Sequence, residues 1–217
     1  MRPSWLGDFN VTLKDLINST ARKVPTWAVY VLCLLPVPWL LYLAQTGGLG
    51  REPIKALEHE LGEIALQLLI IGLMITPIRR FLGLNLIKFR RTVGVLAFTY
   101  VALHLLVWVV LDMSLLWGQM WGDIWKRPYI TIGMAGFVAL IPLAITSNNM
   151  SVRKLGAGAW KKLHKLTYLA VLLGGIHYIW LVKGIQLEPL IYMAVILGLL
   201  ALRWPKKRAE PPRVAAQ

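Results

Sequence analysis

Apolar residues fall along the chain in six long runs separated by short polar stretches. The runs are Pro25 to Ala44, Ile64 to Ile78, Thr92 to Leu111, Tyr129 to Thr146, Leu166 to Val182 and Leu187 to Leu202. Segments this long and nearly free of charge predict helices that cross a bilayer core of about 30 Å. The second and sixth runs reach that length only if the flanking turns join the helix. Pro36 and Pro38 predict a kink in the first run, and Gly47-Gly48-Leu49-Gly50 marks its end. Pro53 suits the first turn of the next helix, with Glu58, Glu60 and Glu63 near its positive end.

Two amphipathic stretches complete the pattern. Trp5, Leu6, Phe9, Leu13, Leu16 and Ile17 share one helical stripe ahead of the first run, as in a helix lying in a membrane interface. Trp117, Trp121 and Trp125 recur every four residues beside Leu116, Met120 and Ile124, which predicts a short helix flat in the opposite interface. The sharper reading of that second stripe is a platform for a partner. The whole reads as an all-α integral membrane protein, a six-helix transmembrane bundle over residues 25–203. Residues 1–24 form an amphipathic cytoplasmic segment and residues 204–217 a basic cytoplasmic tail.

Composition sharpens this only a little. At 57% hydrophobic and 16% charged residues, the chain leaves no room for a separate soluble domain. The single Cys33 excludes a disulfide, a thiolate zinc site and an iron–sulfur cluster. Charge changes the picture more. The net +14 is not a nucleic-acid signal, because nineteen of the 24 Lys and Arg residues lie at the termini or in alternate loops, 79–91 and 153–165. The other loops hold only Arg51, Lys55, Lys126, Arg127 and Lys183. By the positive-inside rule both termini are cytoplasmic, and the partner of most of this charge is membrane lipid. Seven of the ten acids, Glu52 to Glu63, Asp112, Asp123 and Glu188, fall on the opposite side.

The candidate chemistry lies in histidines. Such residues are rare inside a bilayer, and where they occur they face the bundle interior and mark function. The stretch KKLHKLTYLAVLLGGIHYIWLVK, residues 161–183, carries His164 and His177 just inside its two Lys-bearing ends. Thirteen positions separate them by roughly 20 Å on a helix, too far for one metal site. His104 lies thirteen residues past Arg91, and His177 twelve past Lys165. Both runs rise in the same direction, so the two imidazoles stand at nearly equal depth. From separate helices they can clamp one planar cofactor with iron at its centre, of which haem b is the common one. The alternatives are a bond to a backbone carbonyl or a place on a proton path. Zinc or copper wants a further soft or anionic ligand at that level, and spacing places none there.

His164 has no histidine partner on the third run, where Arg90 and Arg91 stand at its level. It is also about 140° out of phase with His177 on an ideal helix. It is either the ligand of an inner haem, with the sixth position empty or filled by a thioether such as Met74, or an interfacial histidine. Arg90 and Arg91 are candidates for a haem propionate or a flavin phosphate. His59, among the glutamates, is either solvated or placed at a haem edge or docking surface. Gly156 and Gly158 do not make a G-x-G-x-x-G site, and no strand precedes them.

Several stretches carry a resemblance: GGLGREPIKALEHELGEIAL, MITPIRR, RRTVGVLAFTYVALHL, KRPYITIG, AITSNNM, KLGAGAWKKLHKLTYLAVLLGGIHYIW and PLIYM. From about Pro25 to Arg203 the chain resembles the haem-binding membrane subunits of the bacterial periplasmic protein-methionine-sulfoxide reductase system, within the ferric-reductase-like transmembrane group. The resemblance implies a location in the bacterial inner membrane, haem b (one or two) and FMN. It also implies a periplasmic molybdopterin subunit that reduces methionine sulfoxide in oxidised proteins. Its haem histidines fall on His104, His164 and His177. Electrons are then expected to enter from a cytoplasmic flavin, a flavin reductase or the quinone pool and to leave at the outer face. Substrate chemistry belongs to the partner. Two rival classes are a ferric reductase or superoxide-forming oxidase, and a transporter or channel with a histidine relay.

Overall fold

The computed structural model describes residues 4–182 and 184–203, with side chains from Leu13 onward. The expected basic tail 204–217, Lys183 and the side chains of Trp5, Leu6 and Phe9 lie outside the described residues. Every regular element among the described residues is helical. The chain begins with α1 (Ser4–Lys23), followed by α2 (Thr26–Leu34) and α3 (Pro36–Thr46). Pro36 lacks the N–H that would continue α2, so the helix is interrupted at Leu35 where a kink was expected. Gly47, at φ 81°, closes α3 in the left-handed region.

Helix α4 (Pro53–Leu82) is 30 residues long. It takes in the acidic turns before the second apolar run, which supplies the length that run lacked. A 3₁₀ turn (Ile87–Phe89) leads into α5 (Arg90–Val107), which ends in a π-helical turn (Trp108–Asp112). Then come α6 (Trp117–Lys126), α7 (Pro128–Ile145), α8 (Asn149–Leu163), α9 (Leu166–Leu181) and α10 (Leu187–Ala201). Among the described residues, four helical segments are long and apolar enough to cross a membrane: Thr26–Thr46, Pro53–Leu82, Ile87–Asp112 and Pro128–Ile145. Helices α9 and α10 are apolar but have only 16 and 15 residues, about 24 and 22 Å at the usual rise.

The packing has a simple plan. Helix α4 lies along α5, α7 lies along α9, and α10 closes against α9 and α4. Leu57, Leu61, Leu73, Leu96, Tyr100, Val171 and Ile196 fill the interior. Tyr100 is fully buried and its hydroxyl donates to the Cys33 carbonyl at 2.5 Å, which ties α2 to α5. Trp27, Val31, Leu32 and Trp39 of the first span stay exposed, as befits a helix at the rim of a bundle in lipid. Helix α1 docks through polar bonds: Asn18 pairs with Gly83 and Asn85, and Lys88 donates to the Arg22 carbonyl. Leu13, Leu16 and Ile17 of its apolar stripe remain exposed. On α6, Trp117, Trp121 and Trp125 are exposed while Met120 and Asp123 are buried, so the tryptophan stripe faces outward.

One expectation is corrected. The stretch 161–183 is not one helix. Lys161 to Leu163 end α8, His164 and Lys165 form a turn, and α9 starts at Leu166. His164 therefore lies outside the helix that carries His177, and the phase angle between them has no meaning. The three lysines hold that segment at a polar boundary, and a turn there costs no hydrocarbon-exposed backbone.

Candidate functional site

His104 sits on the last turn of α5 and His177 on the last turns of α9, with little direct packing between the two helices. Their rings face each other across a cavity of about 360 Å³, with centroids 6.2 Å apart and planes at 80°. Its apolar wall includes Leu66, Leu69, Phe137 and Leu140, while Glu58, His59, Lys55 and Arg127 stand toward the acidic end.

Each imidazole is held from behind by its neighbouring helix. His104 Nδ1 is 2.8 Å from the Glu58 carbonyl of α4, and His177 Nδ1 is 2.7 Å from the Tyr129 carbonyl of α7. A carbonyl only accepts, so each Nδ1 carries the proton and Nε2 is left as the nitrogen with a free lone pair. Two glycines make this approach possible. A Cβ on Gly62 would lie 3.0 Å from His104 Nδ1, and one on Gly133 would lie 2.9 Å from His177 Nδ1. The two halves of the site thus share one construction: a histidine, a carbonyl and a glycine notch on the facing helix. Sequence reasoning located the histidines but missed the notches. The signal was present in the length of α4 and the glycine one turn beyond Glu58, yet pairing Gly62 with His104 needs the packing.

The three glutamates expected together near the start of α4 take different places. Glu60 is exposed, but Glu58 and Glu63 line the cavity. Glu63 Oε1 accepts from Gln67 at 2.8 Å and from the Tyr192 hydroxyl at 2.9 Å, so this carboxylate is committed to a network joining α4 to α10. Lys55 pairs with Glu52 at 3.0 Å and Arg127 with Asp123 at 3.5 Å.

At the basic end the picture changes. His164 stacks on Trp160, with ring centroids 3.8 Å apart, and its Nε2 lies 3.1 Å from Thr146 Oγ1. Trp160 Nε1 donates to the Thr146 carbonyl at 2.8 Å, closing a small knot between α8 and the end of α7. Burial, then the charges of Arg90 and Arg91, hold the imidazole below its ordinary pKa. A second cavity lies at the basic end, and neither His164 nor the partly exposed Met74 lines it or the histidine cavity. Arg91 donates to Asn149 Oδ1 at 2.7 Å, and Arg90 borders the second cavity. Neither arginine reaches the cavity of His104 and His177.

A helical membrane bundle with two histidines facing each other from separate helices is the architecture of a ferric-reductase-like membrane component. The family model described as the ferric reductase like transmembrane component matches residues 60–175, which include α5 and His104. The chain is 47% identical over 196 residues to the protein-methionine-sulfoxide reductase heme-binding subunit MsrQ of Agrobacterium fabrum, covering 86% of this chain and 91% of that one. It is 50% identical over 182 residues to the subunit of the same name from Caulobacter vibrioides, covering 83% and 87%. A third, from Brucella anthropi, is 45% identical over 184 residues, covering 85% and 83%. The chain belongs to the MsrQ family of heme-binding subunits. No solved structure matches it.

Proposed function

We propose that this chain holds haem b between His104 and His177 and carries electrons across the bacterial inner membrane to a periplasmic methionine-sulfoxide reductase. The observation that carries the reading is the facing pair of imidazoles. His104 and His177 would hold the haem iron: their ring centroids stand 6.2 Å apart, and each ring presents Nε2 with Nδ1 already satisfied. Haem bound there would supply reversible one-electron transfer. The carbonyls of Glu58 and Tyr129 fix each tautomer and raise the basicity of the ligating nitrogen. The apolar wall excludes water, and Lys55 and Arg127 offer cations to propionates at the cavity's acidic end, a role that Arg90 and Arg91 stand too far away to serve there.

The wider reading rests on the charge pattern and on the names of the relatives. The basic end is cytoplasmic, both termini lie on that side, and α9 and α10 complete six spans. Segment 1–24 lies in the inner interface, 25–203 is the membrane domain, and 204–217 is a basic tail. Electrons enter at the basic end from a flavin such as FMN, a flavin reductase or the quinone pool. They leave at the acidic end toward the molybdopterin subunit. Glu52, Glu60, Asp112 and Glu188 are exposed there and would favour a basic rim on that partner. His164 is read as a positioning residue at the point of electron entry, since it is engaged with Trp160 and Thr146.

The test is a visible absorption spectrum of the purified protein with iron and haem counted against protein. Wild type should show one low-spin, six-coordinate b-type haem at this site. Loss of that signal in both His104→Ala and His177→Ala supports the pairing, and a normal spectrum in either variant overturns it.

A further inference from the structure

The basic end carries a second cavity that the histidine site does not use. It has a volume of about 290 Å³ and opens between the basic ends of α4, α5, α9 and α10. Three arginines line it, Arg80, Arg90 and Arg203, together with Thr76 and Tyr168. Among the described residues no acid lines it, and the only salt bridges are at the other end of the molecule. Three guanidinium groups around one cavity repel one another unless an anion sits among them.

Arg203 shows how the site is built. Its Nη1 donates to the Tyr168 hydroxyl at 2.9 Å, its Nη2 donates to the Leu73 carbonyl, and the guanidinium lies 5.3 Å from the Tyr168 ring centroid. These contacts fix the fork, yet Nε is buried with no hydrogen-bond partner among the described residues. A buried donor on a cation is costly to leave unpaired, and a water or an anion in the cavity would satisfy it. Arg80 and Arg90 are exposed at the mouth, beside the exposed rings and chains of Phe81 and Leu202.

We propose that this cavity binds a phosphate group at the membrane surface, with Arg80, Arg90 and Arg203 as its donors. Guanidinium forks match phosphate oxygens in charge and in bidentate geometry. The apolar rim favours a phospholipid headgroup whose tails run along Phe81 and Leu202, and a soluble phosphate is the other source of the same chemistry. The proposal is independent of what the histidines hold. An occupant here would link α10 to the end of α4 and the start of α5, and α4 and α5 both line the histidine cavity.

The experiment uses the purified full chain in a neutral detergent, freed of lipid, with melting temperature and native mass spectrometry as readouts. Short-chain phosphatidylglycerol, phosphatidylcholine of the same chain length, glycerol phosphate and inorganic phosphate are titrated separately. The expected result is a saturable rise in melting temperature with phosphatidylglycerol and one retained lipid per chain. Arg80→Gln and Arg203→Gln should each weaken binding about tenfold, the usual consequence of losing a charge-assisted hydrogen bond. Lys154→Gln, on the same basic face but outside the cavity, should bind as wild type. Equal shifts with glycerol phosphate or inorganic phosphate, lost in the same arginine variants, would assign the site to soluble phosphate. No saturable binding of any phosphate compound overturns the proposal. Equal weakening by Lys154→Gln also overturns it, since that is the general attraction of a basic face. If Arg203→Gln fails to fold, Arg80→Gln decides, because its exposed side chain makes no hydrogen bond or salt bridge among the described residues.

Discussion

His177 and His164 lie thirteen residues apart, and the fold gives them opposite fates. His177 stands on α9, lining a cavity, with Nδ1 tied to a carbonyl of the facing helix and Nε2 in no hydrogen bond among the described residues. His164 sits in the turn before α9, pressed on Trp160 and bonded at Nε2 to Thr146. The first arrangement keeps a lone pair available to a metal. The second uses the same nitrogen to hold two helices together. An imidazole is a ligand or a fastener according to which nitrogen its neighbours leave free, and residue type alone does not say which.

The sharpest way to break that contrast is to remove each ring in turn. His177→Ala or His104→Ala should cost essentially all of the six-coordinate haem, measured as haem per protein. His164→Ala should leave that signal intact and slow reduction from the basic side, tested with a donor confined to that face. It should also cost about 1 kcal/mol of stability from the lost hydrogen bond. Haem loss in His164→Ala equal to that in His177→Ala would erase the distinction between the two sites.

A smaller but more specific effect is expected at the glycine notches. Gly62→Ala and Gly133→Ala each place a methyl group within about 3 Å of a ring nitrogen, and overpacking of that kind costs roughly 1–3 kcal/mol. The axial spectrum should shift and haem should dissociate faster, while Gly94→Ala, where a Cβ meets nothing within 4 Å, should behave as wild type. Identical behaviour of all three would mean that the notches do not position the rings.

The smallest effect concerns the acidic end, where the carboxylates divide into two kinds. Glu60→Lys should slow reduction of the partner a few-fold at low salt, and the slowing should fade as exposed charges are screened beyond about 10 Å near 0.1 M salt. Glu63→Gln removes a carboxylate held by Gln67 and Tyr192, so it should alter haem retention and leave the salt dependence alone. If the two variants gave the same salt profile, Glu63 would belong with the docking charges after all.

Much of this was legible in the chain. Six apolar runs, the segregation of lysine and arginine, the kink at Pro36 and the equal depth of His104 and His177 all follow from counting along one dimension. Hydropathy and position are properties of single residues and their near neighbours, and helices in a bilayer leave the backbone few other options. The break at His164 was missed because an apolar run with lysines at its edge reads the same whether its first turn continues the helix or leaves it.

What only the tertiary structure decided is who stands behind each side chain. The pairing of Gly62 with His104 and of Gly133 with His177 spans 42 and 44 residues of chain. Arg203 reaches Leu73 across 130 residues, which gathers three arginines around one cavity. Such contacts depend on which helices pack together and how each is rotated. The sequence determined that imidazoles and arginines would sit at particular depths in a bundle. Which nitrogen was left free, and for what, was decided by the neighbouring helix.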